Sequence, residues 1–107
     1  MVIKMELDKF LEINSLLSVY KSVLSEKQKE YLEDYFENDF SLSEIAKNNS
    51  ISRQAVYDNI NKSVKILNDL EKKLGFMKRN EELRVSLLEL KKDFKEEKLD
   101  DILNNFF

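Results

Sequence analysis

The sequence predicts an all-α protein, a bundle of five or six helices in a single domain over residues 1–107. Proline is absent and glycine occurs only at Gly75, so the chain has few residues that favour strand-connecting turns. Apolar residues recur every three or four positions in several segments, which is the spacing of one helical face. They make up 42% of the chain, enough for the modest core of one small domain.

The first predicted helix covers residues 5–24 and has one apolar face. That face consists of Phe10, Ile13, Leu17, Tyr20 and Leu24, widened by Leu7, Leu11 and Leu16. Ser25 and Gln28 then have the spacing of a capping box, in which each side chain bonds the backbone N–H of the other residue. A second helix therefore begins there and runs to about Asn38.

A short third helix and a long fourth helix follow. Ser41 and Glu44 repeat the capping-box spacing, and the polar run at 48–50 ends the third helix. Ser52 is placed to cap the fourth helix, which continues to Leu74 with the single glycine as its C-terminal stop. At 1.5 Å per residue this helix is roughly 35 Å long.

The last third of the chain, residues 76–107, is predicted to be a C-terminal helical extension. Apolar residues at steps of four and three predict a helix over about 80–96. Residues 99–107 predict a short, frayed helix that ends in two aromatic residues.

The segment at about 41–62 has the parts of a helix-turn-helix: a short helix, a tight turn and a capped second helix. Ala46 is the small residue that lets the two helices cross closely, and Ile51 is the predicted apolar plug of the turn. Many such turns have glycine where this chain has Ser50, so either Ser50 or Asn49 is expected to adopt left-handed backbone angles. The predicted core of the motif is Ile45, Ala46, Ile51, Val56 and Ile60.

The polar side of the second helix of this motif is the predicted contact surface for duplex DNA. Arginine, glutamine and asparagine can bond base edges in the major groove, while hydroxyl and amine groups can contact phosphates. The predicted DNA-binding residues are Ser52, Arg53, Gln54, Tyr57, Asn61 and Lys62. Asp58 lies on the same side, where it repels phosphate or accepts from a cytosine amine. Residues 41–74 hold six basic and four acidic residues, and this small excess predicts weak binding per monomer.

Beyond the motif, the long helix continues an apolar stripe that the two short helices cannot cover. The N-terminal helix or the helix at about 80–96 could cover it, or a second copy of the chain could. We favour a homodimer that presents two DNA-contacting helices. The predicted dimer contacts are Val64, Leu67, Leu70 and Leu74.

The composition excludes most catalytic chemistry. The chain has no cysteine and no histidine, which removes disulfides, thiolate and imidazole nucleophiles, and Cys/His metal sites. Adjacent acids such as Glu81 and Glu82 point about 100° apart on a helix, a poor arrangement for Mg²⁺. We therefore expect no catalytic residue, metal or cofactor. No apolar run is long enough for a membrane span and the N-terminus lacks the pattern of a signal peptide, so we expect a cytoplasmic protein.

These residues resemble two known groups of proteins. Residues 42–67 resemble the helix-turn-helix of sigma-factor region 4. The stretch from Leu24 to Ala46, followed by SRQAVYDNI at 52–60 and KILNDLEKKL at 65–74, is similar to the YlxM family of small bacterial DNA-binding proteins. The resemblance to this family covers roughly residues 7–76. It implies an all-helical, dimeric regulatory protein connected with the signal recognition particle pathway.

A second hypothesis assigns the same helical surface to a protein- or RNA-binding adaptor that does not bind DNA. The modest positive charge and Asp58 favour it. So does the surplus of aromatic side chains: Tyr31, Tyr35, Phe36, Phe40, Phe106 and Phe107. Components of the signal recognition particle are the partners that the family resemblance suggests.

Overall fold

The structure, a computed structural model, describes residues 2–107, with side chains from Leu7 onward, and it confirms the all-α prediction. No strand occurs within the described residues. Their helices are α1 (Val2–Tyr20), α2 (Glu26–Phe36), α3 (Leu42–Asn49), α4 (Arg53–Leu74), α5 (Phe76–Lys92) and α6 (Glu96–Phe106). A 3-10 turn, Lys21–Val23, follows α1. None of these helices is long and apolar enough to cross a membrane.

The chain groups into two compact units, Met1–Lys73 and Leu74–Phe107. The first unit contains α1, α2, α3 and all but the last residue of α4, and the second contains α5 and α6. The single domain predicted for residues 1–107 stays a prediction.

Most of the buried apolar side chains belong to the first unit. They are Ile13, Leu16, Leu17, Tyr20, Leu24, Tyr31, Leu32, Phe36, Ile45, Ala46, Val56, Ile60 and Leu67. All four helices of the unit contribute to this core. Removal of this apolar surface from water is the main favourable term in the folding of the unit.

Helix α1 packs on α2 through aromatic rings and one polar contact. The ring centroids of Phe10 and Phe36 are 4.8 Å apart in an edge-to-face arrangement. The side-chain amide of Asn14 donates to the carbonyl oxygen of Phe36 at 3.0 Å, which satisfies a backbone acceptor at the end of α2. The predicted apolar face of α1 was too wide, because Leu7 and Leu11 are both 56% exposed.

Both predicted capping boxes are confirmed. The Ser25 hydroxyl accepts from the backbone N–H of Gln28 at 3.2 Å, and the Gln28 side chain accepts from the Ser25 N–H at 2.9 Å. Ser41 and Glu44 make the same two bonds at 3.0 and 3.1 Å. These bonds pair backbone donors that have no partner within the first turn of each helix. Helix α2 ends at Phe36, slightly earlier than predicted.

The long helix α4 ends at Leu74, and Gly75 follows with a φ of 66°, as predicted for a C-terminal stop. Within the first unit, the Tyr20 hydroxyl donates to a carboxylate oxygen of Glu71 at 2.5 Å and so joins α1 to α4. The assignment of Leu67 to a dimer interface is wrong, because this side chain is 0% exposed within one chain.

The second unit is a pair of helices whose boundaries differ from those predicted. Helix α5 begins at Phe76 and ends at Lys92, and α6 is a full helix of 11 residues that ends at Phe106. The predicted helix over about 80–96 therefore began too late and ran too far. The chain leaves the helical conformation at Asp93, and the next helix buries its own apolar residue, Ile102.

Candidate nucleic-acid interface

The turn between α3 and α4 is closed by backbone hydrogen bonds. Ser50 adopts left-handed angles, with φ 54° and ψ 41°. Its N–H donates to the carbonyl oxygen of Lys47 at 3.4 Å, and the N–H of Ile51 donates to that of Ala46 at 3.1 Å. This pair of bonds is a Schellman motif, which satisfies the carbonyl groups at a helix C-terminus. Of the two residues considered for the left-handed position, Ser50 occupies it and Asn49 remains helical.

The prediction that Ile51 is a buried plug is wrong. The Ile51 side chain, which directly follows the left-handed residue Ser50, is 38% exposed. The backbone bonds of the Schellman motif hold the turn together, so the turn does not need a fully buried apolar side chain at this position.

The remaining predicted core positions of the motif are buried. Ile45 and Val56 are 0% exposed, and Ala46 and Ile60 are 5% exposed. They lie on α3 and on the first two turns of α4, so the inner sides of both helices belong to the core of the first unit. The opposite side of α4 is consequently left at the surface.

A cap fixes the start of α4. The Ser52 hydroxyl accepts from the backbone N–H of Ala55 at 3.0 Å, as predicted for an N-cap. The other backbone N–H groups of this first turn, together with the helix dipole, give the end of the helix a partial positive charge.

The outer side of this segment is a continuous polar surface, which we call the reading face. Every one of its side chains is exposed, including the six residues predicted to bind DNA. The reading face consists of Ser52, Arg53, Gln54, Tyr57, Asp58, Asn61 and Lys62. Gln54, Tyr57, Asp58 and Asn61 follow the i, i+3, i+4, i+7 spacing that places side chains on one side of a helix.

The predicted set of DNA-binding residues left out one partner. The Gln54 side-chain amide donates to a carboxylate oxygen of Asp58 at 2.9 Å, so these two residues form a hydrogen-bonded pair. Their four-residue spacing was visible in the sequence, because glutamine and aspartate one helical turn apart are within hydrogen-bonding reach. The prediction weighed Asp58 as a charge that repels phosphate or as an acceptor for a cytosine amine, and it did not pair Asp58 with Gln54.

The aromatic residues that favoured an adaptor have different surroundings. Tyr31 and Phe36 are buried in the core of the first unit, and Tyr35 is half-buried against Phe10 with ring centroids 5.6 Å apart. Phe107, at the end of the second unit, is 86% exposed. Most of the aromatic surplus in the first unit therefore contributes to packing.

The chain matches one family model over residues 7–105, the UPF0122 family, described as "Putative helix-turn-helix protein, YlxM / p13 like". The chain belongs to this family. The family match extends beyond the roughly 7–76 covered by the sequence resemblance and includes α5 and nearly all of α6. The description of the family gives it a helix-turn-helix, in agreement with the geometry of α3 and α4.

Relatives in several bacteria are similar over most of the chain. A UPF0122 protein of Fusobacterium nucleatum is 58% identical over 94% of this chain and 98% of its own length. A UPF0122 protein of Mycoplasma capricolum is 51% identical over 77% of this chain and 72% of its own length. The corresponding protein of Lactiplantibacillus plantarum is 48% identical over 74% of this chain and 72% of its own length.

Proposed function

We propose that the chain is a cytoplasmic, non-enzymatic regulatory protein that binds duplex DNA through the reading face of α4. The observation that carries the proposal is the division of this helix into two sides. Val56 and Ile60 are buried against the rest of the first unit, while the polar side chains opposite them are all exposed directly after a capped turn. This division is what a helix-turn-helix needs to place its second helix in a major groove.

The residue types suit distinct parts of a duplex. Arg53 can donate two hydrogen bonds to guanine, and Asn61 can pair with the edge of adenine. Ser52 and Lys62 can contact phosphates on either side of the groove, and the helix N-terminus adds backbone N–H donors. The whole chain has a net charge of −3, so we expect binding to depend on these few contacts and to weaken steeply as salt rises.

The first prediction compares two lysines on the same helix. Lys62→Ala should weaken binding to a duplex and lower the slope of log affinity against log salt by about 0.9, the contribution of one phosphate contact. Lys72→Ala is the matched control, since Lys72 is exposed near the other end of α4. Fluorescence anisotropy with a labelled duplex at several salt concentrations measures both effects.

Two results would contradict the proposal. One is an absence of duplex binding at low salt. The other is an equal loss of affinity in the two lysine variants, which would indicate general attraction to the chain rather than contact by the reading face. Arg53→Ala adds an independent check, because the loss of a base contact should cost on the order of 1–3 kcal/mol on a specific site.

We also propose that two copies of the chain bind DNA together. Of the four predicted dimer contacts, Leu67 is buried within one chain. The other three are still accessible to a second copy, since Val64 and Leu70 are half-buried on α4 and Leu74 is 50% exposed. Pairing of two copies would double the phosphate contacts and compensate for the low positive charge of one chain.

A protein- or RNA-binding adaptor is the second candidate function. Asp58 favours it, because a carboxylate in the middle of the reading face weakens attraction to phosphate. Components of the signal recognition particle are the proposed partners. If the adaptor hypothesis is correct, substitution of a reading-face residue such as Tyr57 should abolish co-purification with them. The anisotropy experiment separates the candidates, since an adaptor of this kind does not bind the duplex.

A further inference from the structure

The hydrogen bond between Gln54 and Asp58 is the feature of the reading face that simple phosphate binding does not explain. Both side chains are exposed, and the bond is 2.9 Å long between residues one turn apart. Among the described residues, the ion pairs do not include Asp58, even though Lys62 lies one turn further along the same helix. Asp58 is therefore held in place by a neutral amide and not by a cation.

The bond determines which groups the pair presents to a ligand. An ionised carboxylate only accepts hydrogen bonds, and an amide has two donor hydrogens and one acceptor oxygen. Because one amide hydrogen is given to Asp58, the groups left are one hydrogen, the amide oxygen and the remaining carboxylate lone pairs. The pair is therefore dominated by acceptors, and its natural partner is a donor.

A DNA duplex offers few donors in its major groove. Phosphate oxygens, guanine O6 and N7, and thymine O4 are all acceptors and would be repelled by a carboxylate. The donors are the exocyclic amines of cytosine and adenine. Adenine carries an acceptor, N7, beside its amine and is best matched by a bidentate amide, whereas the cytosine N4 amine is the usual partner of a carboxylate.

We propose, on the basis of the DNA-binding function proposed above, that Asp58 selects a cytosine by accepting a hydrogen bond from its N4 amine. Gln54 is a positioning residue that holds the carboxylate in one orientation. In this arrangement Asp58 lowers affinity for most duplexes and raises discrimination among them. The other side chains of the reading face are neutral or basic. Asp58 therefore reduces general binding to DNA and favours the DNA sites that place a cytosine next to it.

The experiment is a selection from a pool of duplexes with a randomised central segment, carried out with the full-length protein. The unaltered chain should enrich cytosine at one position of its site. Asp58→Asn should abolish that enrichment, with at least about a tenfold loss of discrimination at that position, and should bind unrelated duplexes more tightly. Asp69→Asn is the matched control, because it removes the same charge from an exposed position far along α4.

Gln54→Ala tests the positioning role separately. It should weaken the cytosine preference without the gain in general affinity that loss of a charge brings. Folding of each variant is checked by its helical circular dichroism, and exposed positions are expected to tolerate these changes.

The outcomes separate this inference from the proposed function. Loss of the cytosine preference in Asp58→Asn but not in Asp69→Asn supports the inference. An unchanged preference in Asp58→Asn, or a site with no cytosine preference at all, overturns it while DNA binding stands. Absence of duplex binding by the unaltered chain overturns the proposed function and the inference together.

Discussion

At the scale of single residues, Ser50 shows how much of the turn depends on the backbone. It occupies the left-handed position that glycine adopts most easily, and the N–H groups of Ser50 and Ile51 close the turn. A residue with a Cβ atom is disfavoured there by roughly 1–2 kcal/mol. The native chain therefore retains a locally strained residue at the centre of its helix-turn-helix.

Ser50→Gly should stabilise the protein. The substitution removes the strain, and the extra freedom of glycine in the unfolded chain offsets part of the gain, so the free energy of unfolding should rise by about 0.5–1 kcal/mol. Urea denaturation followed by circular dichroism measures the change. Ser50→Ala keeps a Cβ atom and should give no such gain; a stabilisation of equal size in this control would refute the explanation.

The same segment shows where residue-level prediction succeeds and fails. The sequence placed Ile45 and Val56 in the core because their spacing follows the inner sides of two helices, and both are completely buried. It placed Ile51 there as the apolar plug expected in the turn of a helix-turn-helix, and no periodicity within a turn supports such a placement. The exposure of the Ile51 side chain depends on the backbone angles of Ser50, which set the direction of the chain after the turn and cannot be derived from apolar spacing.

At the scale of secondary-structure elements, the starts of the capped helices α2, α3 and α4 were predictable, whereas both ends of α5 were not. A capping box involves two residues three positions apart, so Ser41 and Glu44 carry the whole signal locally. The end of α5 has no comparable marker. Apolar spacing continues through Leu87 and Leu90 to Phe94, yet the helix ends at Lys92 and Phe94 is 67% exposed.

Ser41→Ala should destabilise the protein through α3. The change removes the hydroxyl that accepts the N–H of Glu44, and loss of such a cap costs about 1 kcal/mol. Ser43→Ala is the control, since Ser43 is exposed in the same helix and alanine is the better helix former. Urea unfolding should distinguish the two, and equal stability of both variants would show that the box contributes little.

At the scale of the whole molecule, the two units differ in how much apolar surface they bury. The first contains nearly the entire set of buried apolar side chains, while Ile102 is the buried one among the described residues of the second. The sequence did not predict this division, because no run of glycine, proline or serine marks a linker near Lys73. The two units are defined by contacts between residues that are distant in the sequence, and the spacing of residues along the chain does not predict such contacts.

The proposed pairing of two chains belongs to this scale. Leu70→Lys should shift the protein from dimer to monomer at tens of micromolar, because it places a charge in the open apolar stripe of α4. Asn68→Lys adds the same charge at an exposed position of that helix and should leave the dimer intact. Sedimentation velocity measures both variants; an unaltered chain that sediments as a monomer would rule out the dimer.

The separation of core and reading face along α4 has an evolutionary and practical consequence. Because the outward side chains are all exposed, substitutions there should change the DNA sequence preference while the free energy of folding stays nearly constant. A library that randomises Gln54, Tyr57, Asp58 and Asn61 should thus yield mostly folded proteins, and the scaffold becomes a starting point for new sequence-selective binders.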